Sequence, residues 1–364
     1  MWTIQASDLM KKQQDNVTAP LSLADKQKAV GRLKELGCTH VPISVPYDTP
    51  SGAPDVIAQI AEWVNVIKAA GLKTWHRHSW LSDEGFYNTP KNTGGNTRIF
   101  DTVNWIKNNP SLFQNGDIFS PKPEPQNMGV IGINTGDSAN ARFKNVAEFN
   151  TWLRDMAFTC KAQFNAMNLS GVKVGYWGFD GFVVCGFGNP DWQGKSFLEK
   201  ATVTAMEDGI ACDHYPPTGT TMAQFIALFK QVWPNTNLII GEYGAKGTDQ
   251  ASNISQINAT FTALKDPIVK GVNYWPAIGG IDGPLLNNSF DPILGFETVK
   301  SYFTSGTPTP EPEPEPTPVP SPETERIISA EGLSTIVVVT SKGNLWKYGG
   351  SPKVWSKLPL PDFS

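Results

Sequence analysis

The strongest constraint in this chain is a rhythm. Through roughly the first 300 residues, short β-rich runs alternate with longer amphipathic helical patterns. Leu23–Leu36 reads as a helix and Thr39–Val45 as a strand. Asp55–Ala70 is a helix stopped by Gly71, and Leu72–His76 is a strand. The same pairing continues through helix Thr97–Asn108, strand Asp117–Ser120, helix Val146–Met167 and strand Val172–Tyr176. Helices Lys195–Glu207, Thr221–Val232, Ser252–Leu264 and Thr298–Phe303 then alternate with strands Ile210–Asp213, Leu238–Gly241 and Val269–Tyr274. With Trp2–Ile4 as a weak first strand, the pattern makes about eight β/α units. Such alternation predicts a parallel sheet covered by helices. Eight units in this length predict an α/β fold of the (β/α)8 TIM-barrel type. The competitor is an open doubly wound sheet, but no GxGxxG or Walker loop follows any of these strands.

The rhythm stops at Gly306–Pro322, GTPTPEPEPEPTPVPSP. Alternating prolines remove backbone donors and favour extended polyproline II, and the glutamates repel one another. The expected organisation is therefore a barrel over 1–305, a Pro/Thr/Glu linker over 306–325 and a small β module over 326–364. In that module Ser334–Thr340, Asn344–Tyr348 and Lys353–Leu358 are strand-like, with Ser341-Lys342-Gly343 as a turn. The pattern resembles a single β-propeller blade. One blade leaves unpaired strand edges and too small a core. Seventeen residues of polyproline II span about 50 Å, which disfavours docking back onto the barrel. Residues 326–364 are thus expected to drive homo-oligomerisation, with a glycan-binding unit as the alternative.

Charge and composition exclude other classes. Thirty Lys+Arg against 34 Asp+Glu give a net charge of −4, so there is no basic surplus for nucleic acid. No apolar run approaches the ~20 residues of a membrane span. Met1–Gln14 carries no basic region followed by an apolar stretch, so no signal peptide is visible. Even so, an extracellular or virion-associated setting is expected over a cytoplasmic one. The four cysteines form no CxxC pair and read as buried free thiols.

In a parallel barrel the site lies at the C-terminal ends of the strands. Those ends read VPYD (45–48), WHRHSW (75–80), KPEPQN (122–127), DHYP (213–216), GEYG (241–244) and NYWP (273–276). Two glutamates, Glu124 and Glu242, each stand at the end of an apolar run. A carboxylate there is costly unless paired or used. Two carboxyls facing across a cleft suit glycosidic bond cleavage: one protonates the leaving oxygen, the other attacks the anomeric carbon or activates water. Twelve Trp supply flat apolar faces for sugar C–H surfaces.

These motifs, in this order over residues 1 to 305, resemble the clan of retaining (β/α)8-barrel glycoside hydrolases that includes cellulases and β-mannanases. The resemblance implies Glu124 as acid/base and Glu242 as nucleophile. It implies that Tyr215 of Asp213-His214-Tyr215 holds the nucleophile, with His214 beside it, and that Trp275 floors a sugar subsite. Arg77 and His78 correspond to the polar residues that ring the site from strand three. Pro123 stands where the clan carries Asn, so Asn127 is the expected replacement for that contact with the sugar 2-hydroxyl. The expected function is a retaining, endo-acting hydrolase of a β-linked polysaccharide, with no cofactor and no metal. Retention requires carboxyl groups ~5–5.5 Å apart, and inversion ~6.5–9.5 Å. The alternative is a barrel that binds glycan without cleaving it, such as a phage tail or adhesion component.

Plainer readings apply elsewhere. His76 and His78 form an HxH that in principle suits a metal, although metal-dependent amidohydrolase barrels carry that pair on the first strand. His40 reads as structural. Trp63, Trp105 and Trp152 fall in helical patterns and belong to the core. Trp80, Trp177, Trp192 and Trp275 fall at strand ends or just after them, where a ring can stack on a sugar. Asp180, Glu199 and Glu207 read as solvated or capping residues. The Gly- and Asn-rich stretches 88–96 and 129–140 read as loops at the rim of a cleft or plain connections.

Overall fold

In the computed structural model, strands β1 (Ile4–Ser7), β2 (His40–Pro46), β3 (Lys73–Ser79), β4 (Ile118–Ser120), β5 (Lys173–Val174), β6 (Phe179–Asp180), β7 (Ile210–Asp213), β8 (Leu238–Tyr243) and β9 (Val269–Tyr274) form one sheet. The order is β5-β4-β3-β2-β1-β9-β8-β7-β6, and every pairing is parallel. The structure describes residues 2–9, 21–46, 56–79, 99–133, 141–206, 209–216, 219–246, 249–279, 283–293 and 295–305, together with the backbone of four C-terminal strands. Trp80, Glu207, residues 47–48, the stretch 88–96, residues 134–140 of the second loop and the segment 306–326 lie outside the described residues.

That strand order forces closure. β5 and β6 stand at opposite ends of it, yet only residues 175–178 separate them. Laid flat, nine strands at ~4.8 Å spacing would hold these two almost 40 Å apart. The connecting chain spans under about 20 Å even when extended. The sheet therefore curls into a barrel. The sequence predicts one strand over Val172–Tyr176; the structure keeps only Lys173–Val174 of it as β5 and adds β6 at Phe179–Asp180. Gly175 (φ 120°), Tyr176 (φ 56°) and Gly178 (φ 64°) leave the extended region and break the ladder. The break turns two carbonyls toward the end of β4: that of Tyr176 accepts from Ser120 Oγ at 2.6 Å, and that of Trp177 from the Glu124 N–H at 2.7 Å.

Helices α1 (Leu23–Leu36), α2 (Val56–Ala69), α3 (Ile99–Asn108), α4 (Val146–Ala166), α5 (Gly181–Cys185), α6 (Lys200–Thr204), α7 (Met222–Val232), α8 (Gln250–Ala263) and α9 (Phe296–Thr304) accompany the strands. Local chemistry sets their ends. Ser22 and Asp25 form a capping box on α1, and Gly37 closes it in the left-handed region. Thr221 and Gln224 cap α7 in the same way. Helix α6 is far shorter than the Lys195–Glu207 helix predicted, and the short α5 is not foreseen.

The period-two alternation of strands separates two packed layers. Ile4, Ala6, Trp75, Ile118, Tyr176, Ala211 and Ile239 pack together as the barrel interior. The larger layer lies between sheet and helices and buries Trp63, Trp105 and Trp152, as expected from their helical positions. On β3 this alternation sends Trp75 and Arg77 inward and His76 and His78 outward. All four cysteines are free and buried, and burial pushes the Cys185 thiol up to about 12.

The chain divides into two units, 1–307 and 308–364. In the second, β10 (Ile327–Glu331), β11 (Ile336–Thr340), β12 (Leu345–Gly349) and β13 (Val354–Leu358) pair antiparallel in sequence order. β10 adds a strand to the three read from the sequence.

Trp75 is 1% exposed and gives its indole N–H to Ser120 Oγ at 2.9 Å. Trp75→Ala is expected to cost about 3–5 kcal/mol by leaving a cavity inside the barrel. Trp192→Ala, at a partly exposed ring that rests on Phe197 at 4.6 Å, is expected to cost less, about 1–2 kcal/mol. Urea unfolding of the two variants measures the contrast.

Candidate active site

Inward-facing Arg77 organises the strand ends. It is 1% exposed. Its Nη1 bonds Glu242 Oε1 and lies 3.5 Å from Asp8 Oδ2, while Nη2 donates to Asp213 Oδ2 at 2.8 Å. The Tyr215 hydroxyl donates to the other oxygen of Glu242 at 3.1 Å. Both Glu242 oxygens are thus held, with the residue 8% exposed. Asn273 Nδ2 reaches Asp8 Oδ2 at 3.3 Å and the Gly241 carbonyl at 2.7 Å.

Glu242 faces inward because β8 is irregular. Ile239 belongs to the barrel interior, so strict alternation would send Gly241 inward and Glu242 out. The register against β7 instead runs Cys212 to Ile240 and then Asp213 to Glu242, with Gly241 as an extra residue. Such a bulge re-aims the next side chain. Gly241 is required there, since a Cβ would strike Asp213 Oδ1. The strand predicted to end at Gly241 continues to Tyr243, so Glu242 lies within it.

Glu124 follows β4 in the left-handed region (φ 44°, ψ 56°), between Pro123 and Pro125. For a non-glycine residue this conformation costs of order 1–3 kcal/mol. It is held by the bond from the Glu124 N–H to the Trp177 carbonyl and by the Asn127 N–H, which donates to the Glu124 carbonyl at 2.9 Å. Asn127 Nδ2 donates to Glu124 Oε2 at 3.1 Å. Trp275, just past β9, is half-buried and meets the Tyr215 ring edge-on at 6.3 Å. The exposed Lys246 ammonium lies 5.1 Å from the centre of that ring.

The structure thus joins Arg77, Tyr215 and Glu242, sets Trp275 against Tyr215, and ties Asn127 to Glu124. It places two predicted residues elsewhere. His78 faces the helix layer between Trp105 (5.0 Å) and Phe119 (5.4 Å), because Arg77 takes the inward position beside it. His76 shares that outward face, against Phe113 at 4.7 Å. The His214 ring stacks on Phe225 of α7 at 3.9 Å, and only its backbone N–H reaches Glu242, at the carbonyl (2.9 Å). Burial pushes both His78 and His214 down to about 3. His40 bonds Thr39 Oγ1 and the Gly116 carbonyl, a structural role. Trp177 is buried against Trp152 at 5.6 Å and offers no face to a ligand, whereas Trp192 is 37% exposed. Sequence reasoning missed Asp8, Asp213 and Asn273 as members of the cluster. Asp8 carried the same signal as the glutamates, a carboxylate just past an apolar strand, but a first strand read at Trp2–Ile4 hid it.

The buried His78 and His214 set a pH dependence. Their folded values lie far below the unfolded ~6.5, so the stability they permit is complete above that pH and declines as pH falls toward 3. Each ring is expected to remove about 1.4 kcal/mol of unfolding free energy per pH unit between about pH 6 and 4. His78→Phe and His214→Phe should each flatten the slope by that amount in urea titrations. An unchanged slope would show that the ring is not held neutral by the fold.

No family model matches the chain, and no curated protein matches it. Solved structures resemble its fold. A GH5_18 protein of Bifidobacterium longum subsp. longum in complex with Manβ1-4GlcNAc superposes with TM-score 0.64 at 11% identity, over 84% of this chain and 78% of the other. A GH5-4 broad-specificity endoglucanase of Clostridium acetobutylicum gives 0.57 at 12% identity, over 82% and 96%. A β-mannanase of Thermomonospora fusca in complex with mannotriose gives 0.51 at 14% identity, over 84% and 92%. What the chain shares with these proteins is the curled parallel β/α barrel.

Proposed function

We propose that this protein is a retaining glycoside hydrolase acting on a β-linked polysaccharide, with Glu242 as nucleophile and Glu124 as acid/base. One observation carries the reading: a nearly buried carboxylate at the barrel's C-terminal end has both oxygens held, by Arg77 and Tyr215, beside the partly open ring of Trp275. The guanidinium charge and the phenol hydrogen bond both favour ionised Glu242. Left-handed Glu124 supplies the second carboxyl at the end of β4. The barrel's likeness to proteins whose structures hold Manβ1-4GlcNAc or mannotriose supports mannose-containing β-linked chains as the first substrates to test.

In this mechanism Glu242 Oε attacks the anomeric carbon while Glu124 gives its proton to the departing glycosidic oxygen. A glycosyl ester forms and the aglycone leaves. Water then attacks the same carbon, Glu124 takes its proton, and Glu242 departs as carboxylate. Trp275 provides an apolar face for the sugar ring. Asn127 aligns Glu124 through its amide, and the 2-hydroxyl contact falls to the same residue.

The test is a β-mannan, glucomannan and β-glucan panel with reducing-end detection. Glu242→Gln and Glu124→Gln are expected to lower kcat/KM at least about a thousandfold with the fold intact. Proton NMR of the first product should show the β-anomer. An α-anomer, or full activity in Glu242→Gln, would overturn the assignment. Retention of glycan with no new reducing ends in the wild type would favour the binding-only barrel.

The C-terminal strands β10–β13 serve assembly in this reading. Their antiparallel meander leaves two outer strands, β10 and β13, whose outer edges pair with no other described strand and suit pairing with other chains. Light scattering at micromolar concentration should find the full chain oligomeric and a chain ending near Gly306 monomeric. Two monomers would exclude this role.

A further inference from the structure

Asp213 has no part in the chemistry above, yet the fold makes unusual room for it. It is the last residue of β7, and its side chain is 1% exposed, which closes it to substrate. A Cβ on Gly178 or on Gly241 would collide with its carboxyl group. One of these glycines lies in the break between β5 and β6 at φ 64°, and the other is the bulge residue of β8. Two neighbouring segments thus give up their side chains so that one carboxylate can reach Arg77 Nη2.

The carboxylate sits on the cation that also holds Glu242. Arg77 carries one positive charge and meets three carboxyl groups: Glu242 and Asp8 on Nη1, Asp213 on Nη2. Like charges gathered in a buried site oppose one another's ionisation, while the cation favours it. Other charged or titratable groups stand at the neighbouring strand ends: Lys122 and Glu124 past β4, Asp180 at the end of β6, His214 and Tyr215 after β7, and Lys246 after β8. Of these, the Tyr215 hydroxyl bonds Glu242 directly, and the His214 ring turns away onto Phe225. Burial holds the thiol of Cys212, next to Asp213, well above the usual range, with smaller contributions from Cys185, Asp213, Asp180 and Glu124.

We infer that Asp213 is a positioning residue that sets the ionisation of Glu242 by sharing the Arg77 guanidinium with it. It anchors Nη2, which aims Nη1 at Glu242, and its charge offsets part of the cation's pull. The result is a nucleophile that is held ionised but keeps its basicity. The role of Glu242 rests on the proposed function; the electrostatic coupling does not.

The experiment follows Glu242 directly by 13Cδ-glutamate NMR titration, with its resonance assigned through Glu242→Gln, and in parallel by the pH profile of kcat/KM. Asp213→Asn keeps an acceptor for Nη2 and removes the charge. It is expected to lower the Glu242 midpoint by about 0.5–1 pH unit and to move the acid limb of the profile down equally. Asp8→Asn, farther from the guanidinium, should give a smaller shift in the same direction, and it carries the test if Asp213→Asn does not fold. Tyr215→Phe removes a donor from Glu242 and should shift the midpoint upward. An unchanged or raised midpoint in Asp213→Asn, with Tyr215→Phe raised as expected, would overturn the proposal. A lowered NMR midpoint in a protein that cleaves no glycan would uphold the coupling and refute the glycosidase reading instead.

Discussion

A guanidinium buried at the mouth of a barrel has to be neutralised there, because removing a charge from water costs several kcal/mol. Arg77 meets that demand with groups from three other strands or their ends: Asp8 after β1, Asp213 at the end of β7 and Glu242 in β8. Each carboxylate in turn depends on the cation. Losing one partner would leave an uncompensated charge, so the cluster fixes the relative positions of strands far apart in sequence. Asn273 of β9 joins the same network through Asp8 and the Gly241 carbonyl.

The barrel's irregularities serve this cluster and the neighbouring carboxyl. A regular β8 would turn Glu242 toward the helices; the bulge at Gly241 turns it toward Arg77. A continuous fifth strand would keep its carbonyls in the ladder. Its break frees the Trp177 carbonyl to hold Glu124 in a left-handed conformation, and Gly178 leaves space for Asp213. Strain and lost ladder bonds concentrate where side chains must be aimed, the usual location of stored backbone strain.

Much of the fold was legible in order. Long segments with clear periodicity, such as Leu23–Leu36 and Val269–Tyr274, match their elements in the structure, because one buried face repeats over several turns or pleats. Short elements were less legible. Lys195–Glu207 looked helical by composition, but only Lys200–Thr204 is α-helix among its described residues, and Gly175 and Gly178 were the one local sign of the break at 175–178. Glu124, Glu242, Arg77, Tyr215 and Trp275 were legible as candidates because they fall at or near strand ends. His78 lies apart from the Arg77 cluster because Arg77 takes the inward side of β3. The His214 ring stacks on Phe225, on a helix that sequence spacing could not bring to it.

The sequence by itself determined the α/β rhythm, the Pro/Thr/Glu interruption and the residue types available at each strand end. Those properties are local: a 3.6- or 2-residue period and the conformational limits of proline need no distant partner. Only the tertiary structure decided which carboxylates share Arg77, which histidines turn away, and that Gly241 is a bulge rather than a strand terminus. These outcomes depend on contacts between residues hundreds of positions apart, such as Asp8 with Asn273. A change of one residue in register reverses the face a side chain occupies, and that register is set when the barrel closes.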